Sequence, residues 1–460
     1  MAHALFPQVP ASTLSTSTPK RRPPILPRSS VAAQFPPSSA VLIVGGGLAG
    51  LSAATHLHAA NLPFILLESS DSLGGRVRTD AVDGFLLDRG FQILLTAYPE
   101  ARRALDFPPL ALQPFYPGAL VFHSGRFHRV ADPFRRPIDS LFSLSNPIGS
   151  IPDKLLVGLH RLRASISFAS SNTETTIHRR LVALGFSPSI INRFFRPFLA
   201  GIFFDPELST SSRLFDFIFQ CLADGDNALP ALGIGAIPAQ IAANLPSHSI
   251  RLGTMVASIV PGDTLEVILD GGEILAADMG IIVAVEQPEA ERLLPQIIAD
   301  TSKRPGRSTV CIYFVADRAP VDEPVLILNG SGEGIVNNMC FPTNVAASYG
   351  PAGGPALVSV SVVGDGGGMR RSDEDLAAEV VRELGGWFGS EEVRSWRHLK
   401  TYRIGFAQPN QTPPTNLTAK DPRVGDRIYV CGDHWSSATF DGALLSGRRA
   451  AEALIRDLVP

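Results

Sequence analysis

Three glycines, Gly45, Gly47 and Gly50, stand in the segment VLIVGGGLAGLSAATHL, residues 41–57, and a carboxylate, Glu68, follows eighteen residues after the last of them. Between a buried strand and a helix, glycines at this spacing bring backbone N–H groups up to a pyrophosphate. Gly45 permits the tight turn, Gly47 lets the backbone approach the anion, and Gly50 lets helix and strand pack closely. The helix N-terminus adds unpaired N–H donors and a partial positive charge. Glu68 ends the apolar run FILLE, where a carboxylate accepts both ribose hydroxyls of an adenosine and repels a 2′-phosphate. The nucleotide is therefore FAD or NAD rather than NADP, and this unit does not separate the two.

Two further segments do. ESSDSLGGRVRTD follows at once and carries Gly74, Gly75 and Arg76; near the far end, IYVCGDHWSSATFDGALLSGRRAA carries Gly432, Asp433, His434, Gly442 and Ala443. With these the chain resembles the flavin-containing amine oxidase and phytoene desaturase superfamily. The resemblance implies non-covalent FAD, with no cysteine in a setting that would attach it. It implies that the Gly74–Gly75–Arg76 loop folds over the pyrophosphate, with Arg76 as a permanently charged forked partner. Asp433, after Gly432, would bond the ribityl and phosphate part. The helix opening at Asp441, Gly442 and Ala443 would direct its positive end at the flavin ring, stabilising the anion formed when the ring accepts a hydride. RLGTMVASI resembles the family strand whose backbone brackets the adenine, nominating Val256, and ALGIGAIPAQIAANL resembles the segment returning from the substrate domain.

The reaction is less sharply marked. Many amine oxidases of the superfamily hold a water near the flavin with a lysine; Lys303 in TSKRPGRSTV is the one lysine near that position, and its match is poor. Six Tyr and three Trp against twenty-six Phe give little material for an aromatic cage around an amine. INRFFRPFLAGIFF, residues 191–204, suits a lipophilic isoprenoid or polyene, with Phe194, Phe195, Phe203 and Phe204 either lining a site or filling core. His434 is the candidate acid or base; a histidine satisfied by structural hydrogen bonds fits as well. No HExxH, GxSxG or Walker sequence occurs, and no metal site is expected.

The elements that must hold these residues form an α/β fold: a doubly wound Rossmann-like FAD-binding domain, discontinuous in sequence, with an inserted α+β substrate domain containing an antiparallel sheet. Val41–Val44 reads as a strand, 48–60 as a helix stopped by Asn61 and Pro63, and 64–68 as a second strand. The expected FAD-binding domain comprises 40–105, 233–300 and 420–460; the substrate domain comprises 106–232 and 301–419. RLGTMVASIV, DTLEVILD and EILAADMGIIVAV read as an antiparallel meander ending in the apolar strand 280–285. Helices are expected over 174–185, 188–200 and 373–387. The turns NGSGEG and GDGGGM read as hairpin or connecting loops rather than phosphate cradles.

Residues 1–39 hold Lys20, Arg21, Arg22 and Arg28 and no acidic residue. A basic, hydroxyl-rich segment of this kind reads as a plastid transit peptide, with a disordered tail as the alternative, so the expected place of the mature protein is the chloroplast, in the stroma or against a membrane. Taking those four cations from the net charge of −3 leaves −7, which argues against a nucleic-acid partner. The four widely spaced cysteines suit neither zinc nor a disulfide framework and are expected reduced and buried. No apolar run reaches the roughly 18 residues needed to span a bilayer. DKLLVGLHRLRASISF, 153–168, puts Leu155, Leu156, Leu159 and Leu162 on one helical face, as an interfacial or an ordinary surface helix would. The expected activity is removal of hydride from a hydrophobic substrate to FAD, desaturase- or isomerase-like, with oxygen or a quinone as electron acceptor. The alternatives are a flavin amine oxidase and a flavin-binding assembly or regulatory protein without turnover.

Overall fold

The first strand, Val41–Val44, is buried along its whole length and has parallel partners on both sides, Phe64–Leu67 and Ile281–Val283. Full burial of VLIV and IIV, and of FILL apart from a half-buried Ile65, is what a parallel sheet covered on both faces requires. A computed structural model describes residues 40–166, 173–262, 264–295, 304–364, 368–415 and 420–458. The transit-peptide reading and Lys303 lie outside the described residues, as does part of the GDGGGM turn.

The parallel sheet runs Ile250–Arg251, Phe64–Leu67, Val41–Val44, Ile281–Val283, Ile428–Val430, with Arg423–Gly425 antiparallel at its edge. On one face the helix Leu48–Ala59 packs against the C-terminal helix Phe440–Leu458. Their backbones meet where a Cβ at Gly447 would lie 2.0 Å from the carbonyl oxygen of Ala49, and Ser52 Oγ donates to the Leu444 carbonyl at 2.7 Å. The opening unit and the chain's last helix are thus one layer.

Val256–Val260, Glu266–Leu269 and Ile274–Ala276 form a small antiparallel sheet, as read from the sequence. The meander does not end in the apolar strand that follows. Ile281–Val283 leaves it for the middle of the parallel sheet, in register Leu42 with Ile281 and Ile281 with Ile428. An apolar run buried on both faces looks alike in either setting, and only its partners decide.

A seven-stranded sheet draws on Gly118–His123, Arg126–Ala131 and the later strands Arg307–Ala316, Leu326–Asn329, Val336–Cys340, Ala356–Val363 and Arg397–Gln408. Neighbours are antiparallel except Gly118–His123 beside Leu326–Asn329. RSTVCIYFVA shows the period of two: Val310, Ile312 and Phe314 pack with Leu376, Val380 and Leu384 of the helix Asp373–Phe388, while Cys311, Tyr313 and Val315 pack with Phe85, Leu87 and Tyr349. NGSGEG links the antiparallel strands Leu326–Asn329 and Val336–Cys340, the hairpin its glycines suggested.

The helix expected over 373–387 forms as Asp373–Phe388, whereas the first two of that group, 174–185 and 188–200, are shorter or more broken than the periodicity suggests. Ile177–Ala183 covers part of the first; Pro188–Ile190, a π-helical turn Ile191–Phe195 and Arg196–Phe203 divide the second around Pro197. All four cysteines are buried and free.

Candidate cofactor site

Gly45 turns the chain out of the first strand with φ of 104°, which favours glycine, and a Cβ at Gly50 would stand 1.9 Å from its carbonyl oxygen. Gly47 is the N-cap of the helix, caps it with no side chain, and has open space where a Cβ would point. An uncapped helix start with free approach is what an anion needs. The carboxylate of Glu68 is buried and accepts from Gly46 N at 2.7 Å through Oε2 and from Ser70 N at 2.8 Å through Oε1. It is therefore held at the mouth of the glycine turn.

The Gly74–Gly75–Arg76 loop lies against this turn. Gly74 N donates to Gly46 O at 2.9 Å, and Gly74 and Gly75 have φ of 117° and 59°. The Arg76 guanidinium forms an ion pair with Asp433 (Nη1 to Oδ2, 2.8 Å), donates to the carbonyl of Ala407 at 2.8 Å and lies 5.6 Å from the centre of the Phe406 ring. Burial disfavours charge on Asp433, but Arg76 and His434 outweigh it and hold its carboxyl well below the usual carboxylate range. Burial pushes the neighbouring Glu286 carboxyl up, against the pull of Arg76.

Gly432 precedes Asp433 with φ of 141°, and a Cβ there would meet the His434 ring at 2.7 Å. The His434 side chain is 4% exposed, and its Nδ1 stands 3.9 Å from Asp433 Oδ1, too far to share a proton in a hydrogen bond. Gln411 ties the turn together: its amide accepts from Ala438 N at 2.9 Å and donates to Ser436 O at 2.8 Å. At the start of the C-terminal helix, Thr439 Oγ1 accepts from Gly442 N at 2.9 Å, Ala443 N donates to Thr439 O at 3.0 Å, and a Cβ at Gly442 would strike Ser437 O at 2.1 Å. Asp441 faces elsewhere, its carboxylate capping Glu100 N at 2.6 Å.

Gly45, Gly47, Gly50, Glu68, Gly74, Gly75, Arg76, Gly432 and Asp433 thus form one linked group, and Gly442 and Ala443 open the helix just beyond it. Val256 stands apart from the hydrogen bonds of that group. It is buried beside Val44 and Leu67, and its carbonyl accepts from Arg292 Nη2 at 2.9 Å. Sequence reasoning missed Phe406, Ala407, Gln408 and Gln411. The apolar residues of YRIGFAQ, in the strand Arg397–Gln408, were the available signal.

These residues fit FAD by their own chemistry. Among the described residues, Asp433 Oδ1 and both ring nitrogens of His434 are buried with no hydrogen-bond partner, and such atoms ordinarily have one. They sit beside Arg76 and a glycine turn suited to a diphosphate.

The parallel sheet, the glycine turn, the buried Glu68 carboxylate beside it and the Arg76–Asp433 pair suit a dinucleotide-binding oxidoreductase. The chain belongs to the flavin containing amine oxidoreductase family, whose model matches residues 48–455. It is a flavin enzyme of the amine oxidase and desaturase superfamily. It is 25% identical over 457 residues to a hydroxysqualene dehydroxylase of Rhodopseudomonas palustris, covering 91% of this chain and 99% of the relative. It is 21% identical over 459 residues to a 15-cis-phytoene desaturase of Narcissus pseudonarcissus, covering 91% and 79%. The cyclohexylamine oxidase of Brevibacterium oxydans shares the fold, with a TM-score of 0.66 at 17% identity over 92% of this chain and all of that one.

Proposed function

We propose that this FAD enzyme dehydrogenates or isomerises an apolar isoprenoid or polyene by taking hydride from a carbon centre, and that it works in the plastid. One observation carries the reading. Beside the Arg76–Asp433 pair the chain presents the Phe406 ring, and two residues further on Gln408 donates to the carbonyl of Ile202 at 2.9 Å, in the helix Arg196–Phe203. The strand that lies against Arg76 is thus tied to a helix that carries Phe198 and Phe203. Phe195 and Phe203 of that segment are buried in the core, while Phe194 and Phe198 stack on one another and are only partly buried. The names of the desaturase and dehydroxylase relatives support the same substrate class.

Bound FAD supplies the hydride acceptor and passes the electrons to oxygen, a quinone or another carrier. The chain's own residues do the rest. Glu68 orients the ribose, Arg76 neutralises the diphosphate, and the N-terminus of the helix Phe440–Leu458 offers positive potential to developing negative charge. The Phe406 ring covers one side of the Arg76 guanidinium.

The test is anaerobic bleaching of the flavin absorbance. Isoprenoid and polyene extracts should bleach it, and spermine or a monoamine should not. Rapid bleaching by an amine would replace this reading with amine oxidation, and no bleaching by any candidate would favour a flavin-binding protein without turnover. A reporter fused to residues 1–39 should enter plastids.

A further inference from the structure

Between residues 134 and 162 the chain turns apolar side chains outward. Of fourteen exposed residues there, Arg136 alone is charged, and eight are large hydrophobics. They lie on and beside two helices, Pro137–Ser143 and Ile151–Ile166, and protrude: Phe142 is 75% exposed, Ile138 69% and Leu155 66%, with Leu141, Ile151 and Leu159 among them. Elsewhere among the described residues exposed large hydrophobics are scattered singly, which is ordinary; a run of this kind is not.

The charges of the segment are arranged to suit the same face. Its carboxylates are turned inward: Asp153 is buried and accepts from Ser150 N and Ser187 N, each at 2.8 Å, and Asp139 accepts from Tyr116 OH at 2.6 Å. Its cations are mostly engaged within the protein: Arg135 and Arg161 pair with Asp132, and Arg135 also with Asp226. Lys154 Nζ donates to the carbonyls of Leu144 and Asn146, and the Arg136 guanidinium lies over the Tyr116 ring.

We infer that this face docks the protein on a lipid bilayer, with the two helices lying in the interface and the aliphatic and aromatic tips entering the acyl boundary. A bilayer accepts protruding apolar side chains without a shape-matched surface, whereas a protein partner needs a complementary groove with paired polar groups at its rim. Arg136, the exposed charge of the segment, can complement headgroup phosphates.

The face is also one segment away from the cofactor site. Asp153 clamps Ser187, a Cβ at Gly149 would touch Ile190 at 2.9 Å, and the chain then runs through Ile191–Phe195 into the helix Arg196–Phe203 that Gln408 ties to the Arg76 region. Entry of the substrate from the bilayer through this side rests on the proposed substrate class; the docking itself does not.

Flotation of the full chain with phosphatidylcholine vesicles tests it, neutral lipid being used so that the basic residues 1–39 do not drive binding. The wild type should float, and Phe142→Ser with Leu155→Ser should reduce flotation by about tenfold or more while flavin absorbance and melting temperature stay unchanged. A wild type that stays in the aqueous fraction, or a double variant that floats equally, overturns the inference. So does light scattering that finds a wild-type dimer and a variant monomer, since a second copy then covers the face. Flotation as expected without bleaching by any isoprenoid would remove the substrate reading and leave the docking standing.

Discussion

Replacing Arg76 with methionine strands the Asp433 carboxylate, 2.8 Å from the guanidinium and 9% exposed in its side chain. Deleting one member of a buried ion pair costs about 3–5 kcal/mol, because the partner's charge is left uncompensated. A third of the Arg76 side chain is exposed, and solvent screening reduces that figure to about 2–3 kcal/mol at neutral pH. The pH dependence has a definite sign. In the wild type the folded carboxyl is depressed, so the pair's stabilisation is present above the unfolded value and is lost only as pH falls below it. In the variant burial acts on Asp433 without its Arg76 partner, so the variant's deficit should shrink as pH falls and the carboxyl protonates. Urea unfolding followed by tryptophan fluorescence, with Trp435 beside His434 as a local reporter, would compare wild type, Arg76→Met, Asp433→Asn and the double variant. The double variant should be less destabilised than the sum of the singles. A deficit that ignores pH, with additive singles, would refute the argument.

Glu68→Gln removes the charge that receives Gly46 N and Ser70 N, and should weaken FAD binding to the apoprotein by roughly tenfold or more in a fluorescence titration; an unchanged Kd would take the ribose role from Glu68. Gly50→Ala, whose Cβ would lie 1.9 Å from a backbone oxygen, should yield insoluble or colourless protein, whereas Gly47→Ala meets nothing within 4 Å and should fold with unchanged circular dichroism yet lose flavin. If Gly47→Ala retains flavin fully, the pyrophosphate does not approach there. Burial pushes Asp88 up to about 6 from an ordinary 3.8, despite donors from Thr79, Ile234 and Tyr349. A raised carboxyl stabilises the fold at low pH and loses that contribution as pH rises through its folded value, by about 3 kcal/mol in all. Asp88→Asn should therefore flatten urea stability between about pH 4 and pH 7 relative to wild type; an unchanged slope would show that Asp88 does not carry it.

What could be read from the sequence was what the backbone itself demands. Gly45, Gly74, Gly75 and Gly432 stand where φ is positive, and Gly50, Gly442 and Gly447 stand where another backbone atom occupies the place of a Cβ. Such requirements are local and leave glycines at fixed spacing. The partner of Ile281–Val283 left no such mark, because a short apolar run has the same composition in a meander and in a parallel sheet. Val256 was nominated by its strand, and nothing in the sequence announced that Arg292 would reach its carbonyl.

The Arg76 environment explains why the cofactor was easier to read than the substrate. One of the guanidinium's partners is the carbonyl of Ala407, 331 positions along the chain, and a backbone oxygen leaves no trace in residue identity. Yet Ala407 lies between Phe406 and Gln408, the first beneath the guanidinium and the second tied to the helix Arg196–Phe203. Moving that strand by an ångström would disturb the arginine and that helix together. The segment from Ser187 to Phe195, tied by Asp153 to the exposed helix Ile151–Ile166, stands outside that linkage, so side chains there can change without moving the strand against Arg76.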